Sequence, residues 1–324
     1  MLHVRQRRLA LRLLIAPMAF AIAPSPVVAQ DRKTVRVVVG FPASSISDIV
    51  AILIAPDLGL ALGRNAIVDV KAGADGQIAA QDVMRQPPDG STLFVATNSP
   101  LQAVPAMRQP PPYDPVADFS HIGYIGRYVH FLLVAQDTPF GNVAELLAYA
   151  RANPGMLNIA NGATFQKVAT AQLLSDTQTQ MNEVNYKGEP AALTDLVAGR
   201  VQVMICSQGV ALEFLKEKRV RALAVNATRR SPYAPDIPTL QEVGLKPFEV
   251  VPWVALIGPP GMPVELIEQL NRALRKTMAR ADIKEQLERI GIEPGVSSAA
   301  ELRHMVIDQL KVWQRNVKAL GLAS

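Results

Sequence analysis

Four short stretches carry the residues best suited to hold a small polar molecule. They are Phe41-Pro42-Ala43-Ser44-Ser45-Ile46-Ser47-Asp48, Thr97-Asn98-Ser99, Asn161-Gly162-Ala163-Thr164-Phe165-Gln166-Lys167 and Cys206-Ser207-Gln208-Gly209. Each follows a β-rich run and precedes or opens a helical one. In open α/β sheets, ligands sit beyond the C-terminal ends of strands, where helix N-termini offer free N–H groups and a positive dipole end. Hydroxyls and amides gathered there suit a small carboxylate. The same residue types also cap helices, and on spacing alone the binding and capping readings stand about even.

Catalytic chemistry has less support. The chain contains no G-x-x-x-x-G-K-S/T phosphate loop, no G-x-G-x-x-G after a strand and no G-x-S-x-G elbow. His121, His130 and His304 share no metal-ligand spacing. The single cysteine, Cys206, ends the run VQVMICS and reads as a small buried hydrophobe rather than a nucleophile. No cofactor is expected, and the chain is read as a non-enzyme, with an exported hydrolase using Cys206 or a serine as the catalytic alternative.

The elements that must position these loops alternate in type. Strands are predicted over 34–41, 65–70, 91–98, 157–161, 183–186, 201–207 and 221–226. Helices are predicted over 46–62, 77–84, 167–174, 191–198 and 210–216, with Ser45 and Asp48 spaced like a capping box. Such alternation predicts α/β layers around largely parallel sheets. Two long extended apolar runs, 119–135 and 248–257, lie close to the proline-rich segments QPPPYDP and GPPGMP. Both runs are placed to cross between the same two lobes. The expected layout is therefore a discontinuous first domain, 30–129 plus 251–324, around a second domain, 130–250. Amphipathic tail helices over 264–278, 283–290 and 299–320 are expected to pack back on the first sheet.

Length and charge agree with this layout. The chain has 324 residues, 49% of them hydrophobic, which suits two lobes with buried cores rather than disorder. Arg5, Arg7, Arg8 and Arg12 precede a short apolar stretch and a V-x-A end at Ala29, the pattern of a signal peptide over 1–29 and of a periplasmic protein. Its removal would take the net charge of +5 down to 29 bases against 28 acids. The basicity is mostly an export address, and nucleic acid is not an expected partner.

The sequence resembles the extracytoplasmic solute-binding receptors of tripartite tricarboxylate transporters, the Bug family. The resemblance runs from about Val35 to Leu322. It is carried by VVVGFPASSISDIVA, QPPDGSTLFVATNSP, PYDPVADFSHIG, NPGMLNIANGAT, VNYKGEPAALTDLVAGRVQVM and RVRALAVNATRRSPYAPDIPTLQEVG. Tyr186-Lys187-Gly188 with Asp195-Leu196, and R-S-P…P-D-I-P-T, are specific in combination. The likeness implies a two-lobed periplasmic binding protein, type II-like, that closes over a small carboxylated solute. It would deliver that solute to the permease subunits of a tripartite transporter, or alternatively signal through a membrane sensor protein, and act as a monomer.

In that family the loop after the first strand usually reads P-F-P-P-G-G-x-x-D, and its backbone receives a ligand carboxylate. Phe41, Pro42 and Asp48 match, whereas Ala43, Ser44 and Ser45 replace Pro-Gly-Gly. Two serines narrow the backbone's approach and add hydroxyl donors. Family members often carry Asp where Cys206 stands and a small residue where Glu189 stands. Losing that acid and gaining Lys167 favours a more anionic ligand, unless Lys167 faces solvent. The expected binding residues are Phe41, Ser44, Ser45, Ser47, Asp48, Thr97 and Asn98 from the first lobe. Asn161, Gly162, Ala163, Thr164, Lys167, Tyr186, Cys206 and Ser207 are expected from the second.

Overall fold

The structure, a computed structural model, describes residues 34–43 and 45–322. The signal peptide expected at 1–29 and the expected ligand residue Ser44 lie outside the described residues. Along the chain come β1 (Val35–Val39), α1 (Ile46–Ala61), β2 (Ala66–Val70), α2 (Gln77–Val83), β3 (Thr92–Thr97) and the short α3 (Val104–Met107). Two long strands follow almost without a break, β4 (Ser120–Tyr128) and β5 (His130–Ala135). Next are α4 (Val143–Ala152), β6 (Asn158–Asn161), α5 (Thr164–Thr177), β7 (Asn182–Asn185), α6 (Glu189–Val197) and β8 (Val203–Ser207). The chain ends with α7 (Gln208–Lys216), β9 (Val220–Asn226), β10 (Trp253–Gly258), α8 (Val264–Ala279), α9 (Ala281–Arg289), β11 (Ile292–Pro294) and α10 (Ala299–Ala319).

These strands form two sheets, ordered β11-β4-β10-β3-β1-β2 and β7-β6-β8-β5-β9. In the first sheet β1 runs parallel to β2 and β3, with Val37 opposite both Val68 and Leu93. The expectation of largely parallel sheets needs correction. β10 is antiparallel to β3 and β4, and β5 is antiparallel to β8 and β9. The reason is topological. β5 and β10 each begin where the chain has just crossed from the other sheet, so each enters against the direction of the strands fed by helices.

Both sheets are buried on two faces, which explains the near-continuous apolar runs of their strands. Val35, Val37 and Val39 of β1 pack with α1, α8 and α9, while Val38 faces the opposite cluster with Phe94 and Trp253. In β5, Leu132 and Val134 join one cluster and Phe131 and Leu133 the other. α1 stops because Gly63 follows it at φ +64°, the left-handed conformation that closes a helix end without a Cβ penalty.

The tail divides between the sheets. Leu302 and Val306 of α10 pack under the first sheet, as its amphipathic pattern predicts. Trp313 and Val317, further along the same helix, are buried instead with Leu132, Phe248 and Val250 under the second. At 1.5 Å per residue a helix of 21 residues is long enough to reach both. No helix among the described residues is long and apolar enough to cross a membrane.

Candidate functional site

On the first sheet the polar loops sit at the C-terminal ends of β1 and β3. Ser45, extended at φ −68° and ψ 160°, caps α1. Its hydroxyl accepts from the Asp48 N–H at 3.4 Å and lies 3.2 Å from the Ser47 hydroxyl. Ser47 and Asp48 are buried, and Phe41 is half-buried at the start of the loop. At the end of β3, Thr97 and Asn98 are buried, and the Thr97 hydroxyl accepts from the Ser99 N–H at 3.3 Å. This wall is a helix start dressed with small hydroxyls.

On the second sheet the loops are packed harder. Gly162 follows β6, and a Cβ there would lie 2.7 Å from the backbone of Gly188 and Glu189, so glycine is required by the close approach. The Gly162 N–H donates to Gln166 Oε1, and Gln166 Nε2 donates to Glu189 Oε1 and to the Ile205 carbonyl, both at 2.6 Å. Glu189, the first residue of α6, also accepts from the Ser207 N–H at 3.3 Å and from the Ser207 hydroxyl. Helices α5 and α7 start at Ala163 and Ser207, neither of which makes a side-chain cap bond. Burial pushes the Glu189 carboxyl above the usual carboxylate range, against the opposing pull of its bonds from Ser207.

Beside this network a row of polar side chains crosses three strands. His130 on β5 is paired in register with Ser207 on β8 and with Asn226 on β9. All three are buried, and among the described residues Asn226 Nδ2 has no hydrogen-bond partner. The His130 ring packs on Phe165 in the first turn of α5, with centroids 4.6 Å apart. Burial lowers its pKa to about 3, against the upward pull of a hydrogen bond with the Tyr128 backbone and with a smaller push from the Arg127 charge, so the ring is neutral.

The two walls meet at the crossing strands. The Tyr128 N–H donates to the Pro252 carbonyl at 2.9 Å, tying the two crossings together. The Gln208 N–H donates to the Val129 carbonyl at 2.9 Å, seating the start of α7 on the crossing itself. A Cβ at Gly209 would lie 2.8 Å from the Ile290 carbonyl oxygen and 3.9 Å from Ile46 Cδ1. The first turn of α7 therefore packs tightly on the Ile290 backbone, with Ile46 the next nearest side chain. Tyr128 is raised in pKa by burial and by the Glu189 charge, which puts the acid within electrostatic reach of the crossing.

Ser45 and Ser47 thus stand at the strand-to-helix turn after β1, and Gly162 and Ser207 at those after β6 and β8. Ala163 is exposed and Thr164 half-buried at the start of α5. Lys167 is half-buried in the same turn, and no ion pair among the described residues holds it. Other expected residues are turned elsewhere. The Asn161 side chain is buried, its Oδ1 accepting from Thr170 at 2.8 Å and its Nδ2 donating to Glu183 at 2.7 Å. The Tyr186 hydroxyl donates to Asp195 at 2.9 Å, and Asp195 pairs with Arg200 on the surface of α6. Cys206 is fully buried among Ala160, Ala192 and Ala211, and burial holds its thiol well above the ordinary value.

Sequence reasoning did not place Gln166, Glu189, His130 or Asn226 in the site. The available signal was Glu189, which stands where the resemblance implies a small residue. For His130 and Asn226 the signal is strand pairing, which is not written in local sequence.

Comparison with known proteins agrees with this geometry. Residues 50–322 match the model of the tripartite tricarboxylate transporter family receptor. The chain is 32% identical over 313 residues to the UPF0065 protein of the tcbD-tcbE intergenic region in Pseudomonas sp. (strain P51), covering 94% of this chain and 93% of that protein. It is 27% identical over 295 residues to protein BugT of Bordetella pertussis, covering 89% and 90%. Among solved structures, R. palustris Rpa4515 with adipate is 29% identical, with a TM-score of 0.77 over 90% of this chain and 98% of that one. MatC from Rhodopseudomonas palustris with bound malate is 28% identical, with a TM-score of 0.70 over 88% and 98%. Two α/β sheets joined by paired crossings are the two-lobed fold of periplasmic binding proteins, and this chain belongs to the tripartite tricarboxylate transporter receptor family of solute-binding proteins.

Proposed function

We propose that the protein is a periplasmic receptor that captures a small carboxylated solute between its lobes, without a chemical step, and hands it to the permease subunits of a tripartite transporter. The observation that carries this reading is that the Gln208 N–H donates to the Val129 carbonyl at 2.9 Å, seating the start of α7 on the crossing between the sheets, while Ser45 caps the start of α1 at the end of β1. Helix N-termini of this kind form a positive, donor-rich lining suited to a small anion. Adipate and malate in the structures of Rpa4515 and MatC support the solute class. The lobes are taken as 30–129 plus 251–324 and 130–250.

The two crossings, at Val129 and at 250–252, act as the hinge. Ser45 and Ser47 orient a carboxylate from the first lobe, with Thr97 and Asn98 behind them. Gly162, Ala163, Thr164 and Ser207 meet the solute from the second. Solute stabilises the closed arrangement through its greater affinity for it. The family match to solute-binding receptors and the fully buried Cys206 favour binding without turnover.

The test is a thermal-shift panel of mono-, di- and tricarboxylates on the exported protein. At least one should raise the midpoint in a concentration-dependent way, because a ligand bound only to the native state stabilises it. A panel with no shift, repeated by calorimetry, overturns the reading.

A further inference from the structure

The second wall differs from an ordinary anion site in one respect: its donors already hold a carboxylate, and that carboxylate is the protein's own. The Ser207 N–H and hydroxyl and the Gln166 amide all donate to Glu189, which itself opens α6. The starts of α6 and α7 and the first turn of α5 thus converge on one acid. These are the groups that would otherwise receive a solute carboxylate from this side. Gln166 cannot turn away, because its other bonds to Gly162 and Ile205 fix it in the core. Gly162 packs against the Glu189 backbone with no room for a Cβ, so the acid is held in place from behind as well.

The neighbouring row carries a cation at its edge that is already paired: Arg127 donates to the Asn226 carbonyl at 3.5 Å and lies 3.6 Å from the Glu293 carboxylate. His130 lies beside Ser207, more than nine-tenths buried. That ring is neutral, and Asn226 beyond it is an amide. A second solute carboxylate would have to approach Glu189 with Arg127 already engaged by Glu293. Two desolvated like charges at short range oppose each other strongly. An N–H group would instead find an acceptor in Glu189.

We propose that the second wall accepts an N–H-bearing group, with Glu189 as its acceptor, so that the solute is a monocarboxylate with an amide or ammonium at its far end. The first wall, with the α1 start and its serines, takes the carboxylate. This is the reverse of the more anionic ligand suggested by Lys167, whose side chain is only half-buried. The inference rests on the receptor reading above and names the class of solute within it.

Calorimetric titration of the exported protein at about pH 7.5 tests it with matched series. Succinate is compared with succinamate and 4-aminobutanoate, and the five- and six-carbon counterparts follow. At the best-binding length, an amide or amine member should bind about tenfold or more tightly than the diacid, the usual scale for an unpaired buried group. Which of the two leads tells whether the bound group is neutral or charged. Glu189→Gln should shift the preference towards the diacid by about the same factor. A diacid that binds wild-type protein as tightly as both nitrogen counterparts overturns the inference and leaves the receptor reading standing. If no member binds at any length, the receptor reading falls first and takes this inference with it. The wild-type comparison decides the matter even if Glu189→Gln does not fold.

Discussion

The two walls of the cleft use the same unit, a strand ending in a polar turn that feeds a helix, and they differ in what their donors hold. At the first wall Ser45 caps α1 with its own hydroxyl, and Ser47 and Thr97 make only short local bonds. At the second wall Gln166, Ser207 and Gly162 are linked into one network around Glu189. The first wall is assembled from local capping, so each residue acts nearly alone. The second is assembled from three segments distant in sequence, so each residue supports the others. Identical local architecture can therefore leave a helix N-terminus open to an outside anion or fill it from within.

That contrast can be broken by substitution. Gln166→Leu should have the largest effect, lowering stability by about 3 kcal/mol, because it strands the Gly162 N–H and the Ile205 carbonyl and loosens Glu189. Urea unfolding measures it, and a loss below about 1 kcal/mol would mean that the network is not cooperative. The equivalent change at the first wall, Ser45→Ala, should cost about 1 kcal/mol, the usual worth of an N-cap.

Between these lies an acid-induced loss. His121 on the first sheet and His130 on the second are held neutral by burial, with pKa values pushed down to about 4 and about 3. Their unfolded values lie near the ordinary 6.5, so the unfolded chain binds more protons as the pH falls. Stability is full above about pH 6.5 and should drop by on the order of 1–2 kcal/mol per histidine by pH 5. Glu189 acts with the opposite sign: its raised value makes the folded state hold its proton longer, so its contribution declines as the pH rises. Thermal melts of His121→Gln and His130→Gln should each flatten the acid limb. If bound solute reaches His130, it will alter the His130 share and leave that of His121 unchanged.

The smallest effect is expected at Cys206. Cys206→Ala should change solute affinity little, because Cys206 is fully buried in the core of the second sheet and meets the site only through the nearby Glu189 charge. A change in affinity of about tenfold or more would show that the cysteine senses the cleft.

Much of the first wall was legible in the sequence. Small hydroxyls after a β-branched run and before a helical pattern mark a strand-to-helix turn, and Ser45 and Ser47 lie where that pattern places them. The second wall was legible only in outline. Ser207 and Gly162 stand at strand ends, but Asn161 turns to Thr170 and Glu183, and Tyr186 turns to Asp195. Side-chain direction at a strand end depends on which face the sheet presents to which helix, and that is set by pairing partners far away in the chain. The same limit hid the split of α10. Its amphipathic stripe reads as one face, but Trp313 and Leu302 meet different cores because the helix outruns the first sheet.

The sequence by itself determined the alternation of elements, the two crossings and the family, because hydrophobic period, turn residues and ordered motifs are local properties of the chain. Only the tertiary structure decided that β5 and β10 run antiparallel to their neighbours, that the start of α7 is seated on the crossing at Val129, and that Glu189 takes the donors of Ser207 and Gln166. Those outcomes depend on contacts between segments tens to hundreds of residues apart. Packing and the requirement to satisfy buried hydrogen bonds select them when the lobes form.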